Sequence, residues 1–191
     1  MKNTLLGSAK CTIFVPVVIA LSGCGVSLQP FYTEKTIVDD RSVEGKWTDG
    51  ETTWQVTRKA PGKFRIATCE SGNCKDEVDG VLFKTGGVTF LDFQAIPTQN
   101  LDPEILPHGL FVLDIREKAM SVTTLTDEHF GDLEERFLLD TEYAKLSNRI
   151  LLTAKPETLQ EFLLRHLSDP QVFPETIDLR RPNSAEISSL Q

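Results

Sequence analysis

Between residues 45 and 126, short runs of alternating apolar and polar residues are interrupted at near-regular spacing by glycine-bearing turns, a pattern that confines this part of the chain to antiparallel β-structure. Successive side chains on a strand point to opposite faces. Trp54 and Val56 alternating with Gln55 and Thr57, and Phe64 and Ile66 alternating with Lys63 and Arg65, therefore each predict one apolar and one wet face. Val81 and Phe83, then Val88, Phe90 and Phe93, then Phe111, Leu113 and Ile115, and finally the β-formers of 122–126 continue the series. The breaks carry turn chemistry. Asp49-Gly50 suits a two-residue turn with positive φ at both centres, Pro61-Gly62 suits the centre of a type II turn, and Gly86-Gly87 and Glu117-Lys118 suit tight reversals. Residues 94–108 hold Pro97, Pro103 and Pro107, which lack the N–H a ladder needs, and read as a long surface loop. About seven strands result, the pattern of an up-and-down barrel or a sandwich.

The hydrophobic period changes after residue 126. Residues 127–139 read as a helix with Phe130, Leu133, Phe137 and Leu138 near one stripe, weakened by Gly131. Ile150-Leu151-Leu152 reads as a short final strand. Pro156 then opens a second helix from the position proline favours, with Leu159, Phe162, Leu163 and His166 at i, i+3, i+4 and i+7. Asp169-Pro170 ends it, and 175–191, poor in apolar residues, reads as a flexible tail. The expected fold is mainly β: an antiparallel meander or barrel of about eight strands with two C-terminal helices, occupying residues 43–174.

The first 23 residues have a different character. Lys2 and Lys10 give a positive start, an apolar run of twelve residues covers 11–22, and Leu21-Ser22-Gly23-Cys24 follows. A helix crossing a bilayer needs about 20 apolar residues, and this run is shorter and broken by Pro16. The tetrapeptide resembles the lipobox of bacterial lipoprotein precursors. That resemblance implies cleavage between Gly23 and Cys24, a diacylglycerol on the Cys24 thiol, an N-acyl chain such as palmitate on its amine, and a lipidated tether over 24–42. It implies a membrane-anchored protein outside the cytoplasm, and Gly25 in place of an aspartate after the cysteine leans toward the outer membrane, facing the periplasm. An ordinary cleaved signal or a short anchor is the other reading of the same residues.

Once the signal is removed, eighteen basic residues face 28 acidic ones, a formal charge of −10. Phosphate backbones repel such a surface, so nucleic acid is not an expected partner. The charge is read as keeping an exported domain soluble. Cys69 and Cys74 are then the cysteines left in an oxidising compartment, and Glu70-Ser71-Gly72-Asn73 between them is turn chemistry, so a disulfide across a hairpin is expected. A redox-active pair lacks a thioredoxin-like context, and a structural zinc lacks a second ligand pair.

Gly45-Lys46-Trp47 at the head of the meander resembles the G-x-W that opens the first strand of lipocalin or calycin barrels, over roughly 43–154. The resemblance implies that Trp47 packs across the closed end, where an arginine late in the chain stacks on it; no residue is matched to that arginine from sequence. The arrangement is also similar to small bacterial lipoproteins with a tryptophan-bearing first hairpin and a closing L-x-x-F-L helix, here 159–163.

Chemistry-bearing groups are sparse. His166 lies on an apolar helix stripe and reads as packing or capping. His129, with Asp127 and Asp132 near it, reads as a solvated acidic face rather than a metal site. His108 ends the proline-rich loop and is the histidine expected to line a barrel mouth. No G-x-S-x-G elbow or phosphate-cradling loop is present, and Asp76, Glu77 and Asp79 read as a solvated sheet edge. Neither catalysis, a metal nor a cofactor beyond the attached lipid is expected. Two functions remain: a barrel holding a small apolar ligand or lipid, with Gly45, Trp47 and His108 as candidate plug or ligand contacts, or a filled barrel serving as a structural or protein-interaction module. Leu110 and Val112, opposite Phe111 and Leu113, give that strand two apolar faces and call for cover by helices or a partner.

Overall fold

The structure, a computed structural model, describes residues 26–70, 73–95, 106–126, 130–135, 140–146, 149–183 and 186. Gly23, Cys24 and the signal segment lie outside the described residues, as do His129 and most of the 94–108 loop. A 3-10 turn, Arg41–Val43, leads into β1 (Gly45–Thr48), β2 (Thr52–Ala60), β3 (Lys63–Glu70), β4 (Asn73–Thr85), β5 (Val88–Ala95), β6 (Gly109–Ile115) and β7 (Ala119–Thr124). Next come α1 (Phe130–Glu135), β8 (Tyr143–Leu146), β9 (Arg149–Leu152), α2 (Pro156–His166) and β10 (Thr176–Arg180). Eight strands close an antiparallel barrel in the order β1-β10-β7-β6-β5-β4-β3-β2, and β8 and β9 form a separate hairpin.

The seven expected strands are the seven found, and their turns follow the sequence chemistry. Gly62, Gly86 and Gly87 have φ of 69°, 56° and 81°. The first turn is longer than the expected two residues. Asp49 Oδ1 accepts the N–H groups of Glu51 and Thr52, both at 2.8 Å, and so holds a three-residue connection between β1 and β2.

Three expectations need correction. The segment 150–152 does pair as a strand, but with β8 outside the barrel. The eighth barrel strand is β10, within the stretch read as a flexible tail: Ile177 and Leu179 alternate with Thr176, Asp178 and Arg180, and all five residues are in register with β7. Consequently both helices lie inside the β7–β10 connection rather than after the barrel. The supposed tether is also folded. Val26, Ser27 and Phe31 are each 0 % exposed, and residues 26–38 run as a strap along the outer wall, from Ser27 beside His108 and Leu152 to Ile37 beside Phe83.

Closure leaves no free edge on β4, which pairs with β3 on one side and β5 on the other. Two of the three acids expected at a sheet edge serve cross-strand ion pairs instead, the Asp76 side chain lying outside the described residues: Arg65 holds Asp79 through two hydrogen bonds of 2.9 and 3.0 Å and lies 3.6 Å from Glu77. The seam is narrow, because the register that joins β1 to β10 consists of the pair Thr48↔Arg180.

Two apolar cores result from the two-faced strands. One fills the barrel and includes Trp47, Trp54, Phe64, Phe93 and Phe111. The other lies outside the wall, where outward Phe83, Phe90 and Leu110 are covered by Leu159, Phe162 and Leu163 of α2, by Leu152 of β9 and by Val26 and Phe31 of the strap. Thus the second apolar face of β6 is covered by the chain's own connection. No helix among the described residues is long and apolar enough to cross a membrane.

Candidate functional site

The closed end is built from residues brought together across the whole barrel. Asp40 caps the 3-10 turn by accepting the Ser42 N–H at 2.9 Å, and this turn carries buried Val43 under the barrel. Trp47, fully buried, donates its indole N–H to the Val43 carbonyl at 2.8 Å. Over its ring lies the guanidinium of Arg181, 3.6 Å from the ring centroid. Arg181 also donates to the carbonyls of Glu44 at 2.7 Å and Ser42 at 2.8 Å. Burial pulls its pKa below the usual arginine value, which a planar, delocalised cation tolerates better than an ammonium does.

Gly45 completes this arrangement. Its φ is 114°, and a Cβ placed there would lie 2.6 Å from Arg181 Nη1. Gly45, Trp47 and Arg181 thus pack together at this end of the barrel, and Arg181 is a partner of Trp47 that sequence reading did not locate.

The barrel interior above the plug is filled. Phe93 and Phe111 stack with centroids 4.4 Å apart, and Trp54 packs against Phe111 at 5.4 Å. Small residues make the room: a Cβ at Gly109 would meet the Phe93 ring at 2.3 Å, and one at Gly80 would touch Ile66 and Leu91 at 3.0 Å. A void among the described residues Val43, Trp54, Val56, Leu113 and Met120 measures about 10 Å³, about the space of one water.

His108 belongs elsewhere. Leu91 and Phe93 face the interior, so Asp92 between them faces out, and the His108 ring is bonded to it on the outer wall, away from the interior core. Asp92 is 2 % exposed. Its Oδ2 accepts the Phe31 N–H at 2.8 Å, and its Oδ1 lies 2.7 Å from His108 Nδ1. The His108 backbone brackets the strap as well, accepting from Val26 N–H at 2.8 Å and donating to the Ser27 carbonyl at 2.7 Å. Gln160 of α2 donates to the Phe31 carbonyl at 2.9 Å. The pair thus clasps the strap to the wall. A groove of about 200 Å³ beside it is bordered by Tyr32, Lys59, Lys63, Gln94 and His108; burial, then the charges of Asp92 and Glu34, push the Tyr32 hydroxyl above its usual pKa.

Cys69 and Cys74 face each other across the β3–β4 hairpin with their sulfurs 2.07 Å apart, the bonding distance of a disulfide. His166 packs on Phe162 at 4.7 Å and lies 3.2 Å from Asp140. Among the described residues no group of three His, Cys, Asp or Glu side chains is placed to hold a metal.

The clasp and the arginine were hidden from sequence reading because each joins residues far apart in the chain. The available signal for Arg181 was the alternation of 176–180 just before it. For Asp92 it was a carboxylate flanked directly by Leu91 and Phe93. No protein-family description, curated protein or solved structure matches this chain. The closed eight-stranded barrel is nonetheless consistent with the lipocalin-like architecture expected from Gly45-Lys46-Trp47.

Proposed function

We propose that this is a lipid-anchored protein of the bacterial envelope in which a filled, lipocalin-like barrel acts as a non-catalytic scaffold and the outer surface meets a protein partner. The single observation that carries the scaffold reading is the close packing of the described interior side chains, among which a void measures about 10 Å³. A lipid acyl chain needs far more room than one water occupies, and small-molecule sites span about 300–1,000 Å³. The carrier reading requires the aromatic stack of Phe93, Phe111 and Trp54 to part, which sets it behind the scaffold. The anchoring reading rests on Leu21-Ser22-Gly23-Cys24, and Gly25 in place of an aspartate supports the outer membrane as the site of anchoring.

Two experiments test the two halves. Metabolic labelling with an alkyne fatty acid is expected to mark the wild type, while Cys24→Ser loses the label and leaves the membrane pellet; a labelled Cys24→Ser protein overturns the anchor assignment. Native mass spectrometry of the detergent-free soluble domain is expected to show an empty protein. A stoichiometric lipid that survives desolvation would return the barrel to the carrier class.

A further inference from the structure

We propose that the mature protein has no slack between lipid and fold, so that the barrel is held against the bilayer with its disulfide-hairpin end toward the lipid surface and its Trp47–Arg181 end directed away. This rests on the anchoring reading above.

Covalent geometry supplies the first step. Two peptide units separate Cys24 from Val26, a reach of at most about 7.6 Å between Cα atoms. Val26 is already part of the folded body. It is 0 % exposed, its N–H is bonded to the His108 carbonyl, and its own carbonyl accepts from Leu152 N–H at 2.8 Å. Ser27, equally buried, sits in an antiparallel bridge to His108 and a parallel one to Leu152, and its hydroxyl donates to the Leu152 carbonyl. The Asp92 carboxylate and Gln160 then grip Phe31. A lipid on Cys24 is therefore attached to a wall, where a flexible leader would leave the body free to rotate.

The strap also sets the direction. It begins at the start of β6, the end of the barrel that carries the disulfide hairpin, and climbs to Asp39, which binds Arg58 and the Gly62 N–H beside the β2–β3 turn at the opposite end. Strands such as β5, eight residues long, rise about 26 Å, or about 20 Å along the axis of a barrel with the usual tilt. Glu117, in the β6–β7 turn, is consequently held about 20 Å farther from the lipid surface than Gln29.

The occupant of the near face is a lipid surface. Leu28 is 38 % exposed, one of two large apolar side chains the described surface leaves that open, and it stands four residues from the acylated position. The formal charge of −10 would repel an anionic bilayer, so close apposition depends on the short strap and not on electrostatic attraction.

The test uses the full acylated protein in vesicles of phosphatidylethanolamine and phosphatidylglycerol, carrying a bimane label through Gln29→Cys or Glu117→Cys. Nitroxide-headgroup lipid is expected to quench the Gln29→Cys label several-fold more than the Glu117→Cys label. An insert of about twelve glycine and serine residues between Gly25 and Val26, reaching about 20 Å as a flexible coil, is expected to remove the difference. Equal quenching at the two positions of the uninserted, acylated protein, or an unchanged contrast after insertion, overturns the orientation. Absence of acyl label on the preparation overturns the anchoring reading itself, which separates the two failures.

Discussion

Arg181 lies over Trp47 because Gly45 leaves the space, so the smallest residue of the trio controls the other two. Gly45→Ala puts an L-residue at positive φ and a methyl group against the guanidinium; strain of this kind costs about 1–3 kcal/mol, and denaturant melts should show a loss of that size. Adding Arg181→Ala is expected to recover only the contact part, leaving the backbone part in place. Asp39 makes a second residue-scale prediction. The hydrogen bonds from Arg58, and then the Gly62 N–H, lower its pKa to about 2. A carboxylate lowered on folding stabilises above its unfolded value of about 3.9, and that contribution fades as pH falls toward about 2. The protection factor of the Gly62 amide, its exchange rate relative to the intrinsic rate at the same pH, should therefore be steady from pH 7 to about 4 and fall below, and Asp39→Asn should flatten the profile. At this scale Gly45 and Trp47 were legible because they form a local motif with a steric reason. His108 was expected at a barrel mouth, whereas its partner Asp92 and its outward direction depend on how β5 and β6 pair.

The element hardest to read was also the one that closes the barrel. β10 has only two apolar residues, Ile177 and Leu179, because a strand with one wet face needs apolar side chains at alternate positions alone. Low apolar content made 175–191 resemble a frayed tail, whereas the period-2 alternation was the informative quantity. A stop codon after residue 175 separates the two readings. A frayed tail predicts an unchanged melt; the barrel predicts loss of the β10 pairing to both neighbours, exposure of β1 and β7 edges, and a protein that aggregates or loses its cooperative transition. The meander from 45 to 124 was legible because turn residues and alternation together mark its breaks, even where, as after Asp49-Gly50, the turn is one residue longer than its dipeptide suggests. By contrast, Ile150-Leu151-Leu152 has the composition of a buried strand, and composition does not say which sheet it joins. The strap escaped notice for a related reason: its ladder partners Leu82, Lys84, His108 and Leu152 come from three separate places in the chain.

At the scale of the whole molecule, the barrel wall separates two cores, an internal one that seals the cylinder and an external one that binds α2, the β8–β9 hairpin and the strap to it. The Cys69–Cys74 bond spans a short loop of the hairpin, so it staples locally and is expected to contribute about 2 kcal/mol. Reduction should lower the melting temperature by about 4–8 °C for a body of this size without abolishing the fold, as measured by calorimetry with and without reductant. Neither core depends on that bond. The narrow join between β1 and β10 has a different effect. Thr48 meets Arg180 only after nearly all of the intervening polypeptide has been made, so a chain still short of its last strand has two unpaired borders, on β1 and β7. Until the last strand arrives those borders stay unpaired, so barrel closure is a late, all-at-once event.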